Sequence, residues 1–506
     1  MIFLFHKNNK VVAITKNKVA IPFENSSIGK TLFLLANTYE NEQIVWCHSD
    51  FERHLNIEFI DSVQQNQFSI LSFNPYQDNF LGSGLGYIDQ NSILKINKKV
   101  TFQTWQMNAS VGMISTHLLK KLERYIAIKE EFNYLLNSIA HRSFMNGVLC
   151  YSEPKLFTNF KSKDTLSCTN YTLFQFVKQH YNIKWLFLLL LNFFLYERKM
   201  LFFPFITALL YAKKPIIKED FISEVFEAHT VFDAVTIDVI IPTIGRASYL
   251  KDFLIDLKKQ ELLPNKVIIV EQNPIKTAVS ELEYLTAEDW PFTIVHQFIH
   301  HSGACNARNI ALQNITSDWV FFADDDIRIE SGFFKQAFQK IHTLDAKAVL
   351  FSCLLKNQTL AFTIPHQTAI FGSGCSIVKS EFASKLLFDT KYEFCFGEDT
   401  DYGMQLRNLG TDVIYLPEPR ILHLKAPVGG FRIQPTYLWS SDSIQPKPSP
   451  TILLTIQRYA TSAQQNGYKT LYFIKSLQWK KPLTSFKEIK KHWKSSMFWA
   501  NKTENM

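Results

Sequence analysis

From residue 235 the chain alternates short β-type apolar runs with segments of helical period, and no other feature restricts the fold as much. VTIDVIIPT (235–243), NKVIIVEQNP (265–274) and DWVFFADDD (318–326) read as strands. SYLKDFLIDLKKQ (248–260) and NARNIALQNI (306–315) carry apolar residues at helical spacing. Strand, helix, strand, helix, strand predicts an α/β fold with a parallel sheet and helices on its faces. Ligands of such sheets sit beyond the carboxyl ends of the strands. Asp324, Asp325 and Asp326 lie at such an end, after five consecutive apolar residues from Trp319 to Ala323.

Three adjacent carboxylates repel one another unless something cationic sits among them. A solvated loop is the plain reading of an acidic triplet. At the end of a buried strand a hard divalent cation, Mn²⁺ or Mg²⁺, explains it better. FGEDTDYGMQLRNLG (396–410) places Glu398 and Asp399 at the start of a helix that Gly410 ends. They serve there either as helix capping or as a general base facing the crevice. His423, in the strand-like YLPEPRILHL, is either structural or completes a metal site with the triplet.

Taken in order, IIPTIGR, the acid Glu271 on the second strand, GACNARN, FFADDDI, GSGCSIVKS, GEDTDYGMQLRNLG and ILH resemble a family 2 glycosyltransferase of the GT-A fold over about residues 235–432. The resemblance implies a Rossmann-like, nucleotide-diphospho-sugar transferase domain. It implies that Pro242, Thr243 and Arg246 hold the nucleotide and that Glu271 contacts its base or ribose, although VEQNP departs from the family's acid-acid-Ser pattern. Gly303, Arg308 and Asn309 match the helix start beside the diphosphate. Asp324 and Asp325 fall on the donor side, and Asp324 and Asp326 are the first and last positions of the DxD metal motif. His423 matches the third metal ligand, and Asp399 the catalytic base. The implied reaction is metal-dependent and inverting, from a nucleoside-diphosphate sugar (a UDP-sugar first) to a glycan or lipid-linked acceptor in surface polysaccharide synthesis. GSGCSIVKS (372–380) and HLKAPVGGFR (423–432) are expected on the acceptor side. Two other functions compete: a non-catalytic sugar-nucleotide-binding scaffold, and a nucleotidyltransferase. No nucleic-acid partner is expected.

The first half parallels the second at four places. NEQIVWCHSD (41–50) follows the layout of SDWVFFADDD, with Cys47-His48-Ser49-Asp50 where the acids stand. VGMISTHLLKKL (111–122) parallels GCSIVKSEFASKL (374–386), EEFNYLL (130–136) parallels EDTDYGM (398–404), and VLCYSEPKL (148–156) parallels VIYLPEPRIL (413–422). Residues 1–160 are therefore expected to form a degenerate GT-A-like domain without catalysis of its own, the competing reading being chance similarity among short apolar patterns.

Residues 161–234 read as an aromatic, apolar helical connector, 235–435 as the catalytic domain, and 436–506 as a linker with a basic tail. Within the connector, WLFLLLLNFFLY (185–196) and MLFFPFITALLY (200–211) flank Glu197-Arg198-Lys199. Each run is short of the ~20 residues a spanning helix needs. They read as a pair of buried core helices, the plainer option, as a monotopic or re-entrant membrane contact, or, least favoured, as a true span. From Lys469 onward nine lysines stand against two glutamates, and Phe486, Ile489 and Trp493 share one helical face. Such a helix either lies on anionic lipid or packs as an ordinary surface helix. Seven scattered cysteines without a CxxC pair exclude a zinc ribbon and suit a reducing compartment. The opening MIFLFHKNNK is too short for a signal peptide. A cytoplasmic protein, peripheral on the inner face of the cell membrane, is expected.

Overall fold

The computed structural model describes every residue except 25, 64–65, 127–129, 159, 161, 163, 218–220, 222–234, 428–436 and 479. The chain divides into two compact units. Unit 1 is Met1–Glu224 with Ala460–Lys475, and unit 2 is Val225–Tyr459 with Ser476–Met506.

Unit 1 holds β1 (Ile2–Lys7), β2 (Lys10–Lys16), β3 (Val19–Ala20), β4 (Gln43–His48), β5 (Ser69–Phe73), β6 (Phe102–Gln103), β7 (Val111–Ser115) and β8 (Leu149–Ser152). Their order in the sheet is β3-β2-β1-β4-β7-β5-β8-β6. Unit 2 holds β9 (Ile237–Thr243), β10 (Lys266–Gln272), β11 (Thr293–Ile299), β12 (Trp319–Ala323), β13 (Ile327–Arg328), β14 (Ala348–Leu354), β15 (His366–Gln367), β16 (Cys375–Lys379) and β17 (Ile414–His423). Their order is β11-β10-β9-β12-β16-β14-β17-β13, with β15 paired to β17.

The three strands expected at 235–326 are β9, β10 and β12, and they run parallel. Beyond them the sheet is mixed, because β16 is antiparallel to β12 and to β14. β11 was not anticipated: its residues are only half-buried at the sheet edge, which weakens the apolar signal of a central strand. Buried on both faces, β9, β10 and β12 are near-continuous apolar runs, as fully covered parallel strands are.

The two sheets share one topology. β1 is parallel to β4 as β9 is to β12. β4 and β5 are both antiparallel to β7, as β12 and β14 are to β16. β5 is parallel to β8 as β14 is to β17, and β6 pairs with β8 as β15 pairs with β17. The β4–β7 ladder runs from Gln43–Ser115 to Cys47–Val111, and the β12–β16 ladder from Trp319–Lys379 to Ala323–Cys375. By this register His48, Ser49 and Asp50 follow Cys47 of β4 as Asp324, Asp325 and Asp326 follow Ala323 of β12, as the sequence parallel has it. On the last strand the ladders correct the parallel by two residues. Tyr151, not Leu149, takes the place of Ile414, since Leu71 pairs with Tyr151 as Val349 pairs with Ile414. A shift of two keeps every side chain on the same face, so the hydrophobic pattern alone does not detect it. Unit 1 carries a β2–β3 extension on β1 where unit 2 has β10 and β11.

Among the helices, unit 1 contributes α1 (Ile28–Thr38), α2 (Phe132–Ser143), α3 (Asn170–His180), α4 (Ile183–Asn192) and α5 (Phe202–Leu209). The expected connector thus supplies α3–α5 to unit 1, while its residues 222–234 lie outside the described set. Unit 2 contributes α6 (Ala247–Lys258), α7 (Ala304–Leu312), α8 (Phe333–Leu344), α9 (Glu398–Asn408) and α10 (Pro450–Tyr459). The chain then continues through α11 (Ser462–Ser476) and α12 (Pro482–Glu504). The basic tail helix α12 packs on α10 and buries Ile489 and Trp499, while Phe486 and Phe498 stay exposed. Of the tail's aromatics Trp499 packs inward, whereas Phe486 and Phe498 do not. All seven cysteines are free thiols.

Candidate active site

A cavity of about 610 Å³ opens at the carboxyl ends of β9, β10 and β12. The position follows from the topology, because parallel strands all deliver their following loops to the same end of the sheet. Pro242, Thr243, Arg246, Gly303, Arg308, Asp324, Asp325, Asp326, Asp399 and His423 all line it. Five loops spread over more than 180 residues of chain meet there, so ten of the twelve residues singled out by sequence come together.

Five groups share the carboxylates of the acidic triplet: Thr243, Arg246, Ala426, His423 and Arg308. Asp325 accepts from the Thr243 hydroxyl at 2.6 Å and from Arg246 Nη1 at 2.6 Å. Burial pushes its carboxyl up to about 6, against the pull of that guanidinium. Asp326 accepts from the Ala426 backbone N–H at 2.8 Å, lies 3.4 Å from Arg246 Nη1, and faces His423 Nε2 at 3.4 Å. Burial works to raise it, but the His423, Ala426 and Arg246 contacts outweigh burial and hold it down to about 2. Asp324 is the most exposed of the three and accepts from Arg308 Nη2 at 3.2 Å. Arg308 is buried, and the charges of Asp324 and Asp399 outweigh its desolvation and keep it cationic.

Also at the cavity, α9 begins at Glu398 after Gly397. The Asp399 carboxylate accepts from the Ser373 backbone N–H at 3.1 Å. Burial raises its affinity for a proton, as it does for Glu398, which burial and the neighbouring Asp399 push up to about 7. Two adjacent carboxyls held above their ordinary range in a crevice are suited to proton transfer.

The start of α7 carries a feature without a sequence signal. The Glu393 carboxylate accepts from the backbone N–H groups of Cys305 and Asn306 at 3.1 and 3.0 Å. It thereby occupies the anion position that a helix N-terminus provides. Gly303, with φ +150°, leaves room for it, since a Cβ there would lie 2.5 Å from that carboxylate. Nothing in the local pattern of residue 393, 90 positions downstream, announces this contact.

Two residues sit elsewhere. Glu271 is buried outside the cavity lining, where its carboxylate accepts from Ser280 Oγ at 2.5 Å and from the Glu281 N–H at 2.9 Å, and meets His296 Nε2 at 2.9 Å. It braces the loop after β10, and the next residue, Gln272, lines the cavity and accepts from the Gly303 N–H at 2.6 Å. The Asn309 side chain exchanges both of its hydrogen bonds with the backbone of Phe388, at 2.8 and 2.7 Å. Asn309→Ala is expected to cost about 1–2 kcal/mol of stability through those two lost bonds, with donor affinity nearly unchanged. Thermal unfolding and nucleotide titration of the same sample check this. Of the expected acceptor-side segments, Gly372, Ser373 and Gly374 line the cavity, as do His423 and Lys425, whereas residues 428–432 lie outside the described set.

Among the described residues no three His, Cys, Asp or Glu side chains stand close enough together to hold a metal ion. The donor chemistry nevertheless fits a hard divalent cation in part. Asp326 and His423 already face each other, and Asp324, the least buried of the triplet, lines the same cavity. Mg²⁺ and Mn²⁺ take few protein ligands and fill the remaining positions with phosphate oxygens and water.

The corresponding end of the unit 1 sheet is built of rings. Phe132 meets His6 at 5.1 Å and Trp46 at 5.9 Å, and His6 meets His48 at 5.4 Å. Asp50 pairs with Lys7, and Glu131 spends its carboxylate on the N–H groups of Asn133 and Tyr134 as the cap of α2.

Residues 238–408 match the family described as Glycosyl transferase family 2. No curated protein sequence matches the chain. Among solved structures, S. aureus TarS aligns at 17% identity over 38% of this chain and 37% of its own, with a TM-score of 0.32. The chain therefore spans little more than a third of that protein. TarS 1–349 in complex with UDP-GlcNAc aligns at 14% identity over 53% of this chain and 81% of its own, with a TM-score of 0.38. GalNAc-T7 with UDP, GalNAc and Mn²⁺ aligns at 13% identity over 51% and 55%, also at 0.38.

Proposed function

We propose, from the premise that residues 238–408 form a family 2 glycosyltransferase domain of the GT-A fold, that the protein is an inverting, divalent-metal-dependent glycosyltransferase. It moves a sugar from a nucleoside diphosphate, UDP first, to a glycan or lipid-linked acceptor in surface polysaccharide synthesis. The observation that carries this is the meeting, within one cavity, of the Asp324–Asp326 triplet and the Asp399 carboxylate.

Each residue then has a task that its surroundings support. Thr243 and Arg246 fix Asp325 and so hold the triplet's backbone in place. Asp326 and His423, with Asp324, would hold Mn²⁺ or Mg²⁺, which would supply positive charge against that developing on the leaving diphosphate. Arg308, buried and cationic, adds fixed positive charge on that side, where a dry site makes it count most. Diphosphate at the α7 N-terminus would meet the Glu393 carboxylate, so donor binding requires that side chain to turn away. Asp399 takes the proton of the acceptor hydroxyl as that oxygen attacks the anomeric carbon from the face opposite the leaving group, giving inversion. The N-terminal sheet domain is non-catalytic, because rings stand where unit 2 has its cavity and Glu131 is committed to a helix cap. The protein acts in the cytoplasm, peripheral on the inner face of the cell membrane.

Release of nucleoside diphosphate from a panel of sugar nucleotides tests the proposal. Release with Mn²⁺ or Mg²⁺ that stops with chelator supports it, and release of pyrophosphate instead overturns it in favour of nucleotidyl transfer. His423→Ala is expected to raise the metal concentration for half-maximal release on the order of tenfold or more. The pH profile supplies another check. A base whose proton affinity is raised by burial is lost as pH falls through its elevated pKa, so the acid limb of kcat should sit above the ordinary aspartate range. An acid limb at or below that range would remove Asp399 from the role of base.

A further inference from the structure

The helices α4 and α5 of unit 1 are strongly apolar, and each buries only one side. α4 runs on through a π-turn over Phe193–Glu197 to Arg198, which is left-handed at φ +58°, and the chain returns as α5. Leu186, Leu188, Leu189 and Phe193 are buried on one side of this hairpin, as are Pro204 and Ala208, and both helices pack on α3. The plainer expectation of two buried core helices is thus only half met. Ile183, Phe187 and Leu191, spaced by four, leave a second apolar face in solvent, and Phe203, Ile206 and Leu210 do the same on α5. Phe187 is 55% exposed, Phe203 73% and Leu210 85%. The Phe187 and Phe205 rings meet at 5.0 Å, which joins the two faces into one.

A surface helix of a water-soluble protein puts charge on its outer face, and contiguous exposed apolar patches beyond a few hundred Å² mark an interaction site. The exposed charges of the hairpin are basic. Lys184, Arg198, Lys199 and Lys213 are exposed. The sole acid between residues 178 and 216 is Glu197, held by the Tyr87 hydroxyl at 3.1 Å and by Lys199 at 2.8 Å. Among the described residues no helix is long and apolar enough to cross a membrane.

We infer that the α4–α5 hairpin lies in the interface of an anionic lipid bilayer, with Phe187, Phe203, Ile206 and Leu210 at the acyl boundary and Lys184, Arg198, Lys199 and Lys213 among the headgroups. This deepens the peripheral placement proposed above and is independent of the glycosyl-transfer chemistry. Helices of this composition, apolar on one side with lysine and arginine at the margin, settle in that plane, and anionic lipid attracts each basic residue. A second copy of the chain fits less well. An isologous pair sets the same patch against itself and brings the two basic margins together.

The test is flotation of the full chain with vesicles of phosphatidylcholine alone and of phosphatidylcholine with phosphatidylserine. The chain is expected to float with the anionic vesicles, and more weakly with neutral ones. Phe203→Asp with Leu210→Asp, at two of the most exposed positions of the patch, should reduce flotation about tenfold or more, since a carboxylate resists entry into the acyl region. Its thermal unfolding and sugar-nucleotide hydrolysis should be unchanged. Arg198→Glu with Lys199→Glu should weaken binding to the anionic vesicles alone. A wild-type chain that stays with the soluble fraction, or an Asp variant that floats equally well, overturns the inference. So does a concentration-dependent dimer that the Asp substitutions break in the absence of vesicle binding. Hydrolysis measured on the same samples keeps a failure of the enzyme proposal distinct from a failure of this one.

Discussion

Replacing Asp399 by Asn is expected to lower kcat of sugar transfer by about 10²–10⁴-fold, the span ordinarily lost with a general base, while donor affinity stays within about threefold. The amide keeps the shape of the carboxylate and can still accept from the Ser373 N–H through its oxygen, so the wall of the cavity is preserved. What it loses is proton affinity, which burial raises in the native side chain. Donor titration followed calorimetrically, together with single-turnover transfer once an acceptor is in hand, separates the two effects. Equal losses of binding and turnover would mean that Asp399 holds the donor and does not move the proton. Glu398, beside it and pushed up to about 7, is the group that would then have to be considered.

Gly112→Ala is expected to be the most destabilising single-methyl change in unit 1. A Cβ at residue 112 would sit 2.0 Å from the Trp46 ring and 2.5 Å from the Leu71 carbonyl oxygen. Trp46 is fully buried, and its indole N–H is held by the Asn108 carbonyl at 3.1 Å, so the ring has nowhere to retreat. The Leu71 oxygen belongs to the β5–β7 ladder and is equally fixed. Overpacking of a rigid core costs typically 1–3 kcal/mol and occasionally more, and contact with both a ring and a backbone atom places this case at about 3 kcal/mol or above. Chemical denaturation should show an early transition for unit 1, while the unfolding of unit 2 keeps its usual midpoint. A single transition at the native midpoint would show that the β4–β7 contact relaxes more readily than its packing implies.

Much of unit 2 was legible because its signals are local. Five apolar residues followed by three aspartates define both a strand and its functional end, whatever the rest of the chain does. The same holds for Glu398 and Asp399 at the start of α9 and for the apolar spacing of α6. β11 was missed because an edge strand needs no apolar run. The assignments of Glu271 and Asn309 followed positions in a motif, and a motif does not say which way a side chain turns. Glu271 turns into the protein toward Ser280 and His296, and Asn309 turns toward Phe388.

The sequence by itself determined β9, β10 and β12 and the order of the site's motifs, and it suggested the parallel between the two halves, because alternation and apolar length are properties of neighbouring residues. Only the tertiary structure decided how the three aspartates divide their partners and that Glu393 stands at the start of α7. It also decided that α4 and α5 keep an apolar face in solvent. Each of these depends on which distant segment arrives beside a residue. That is fixed by strand order and loop path across tens to hundreds of positions, where no local periodicity reaches.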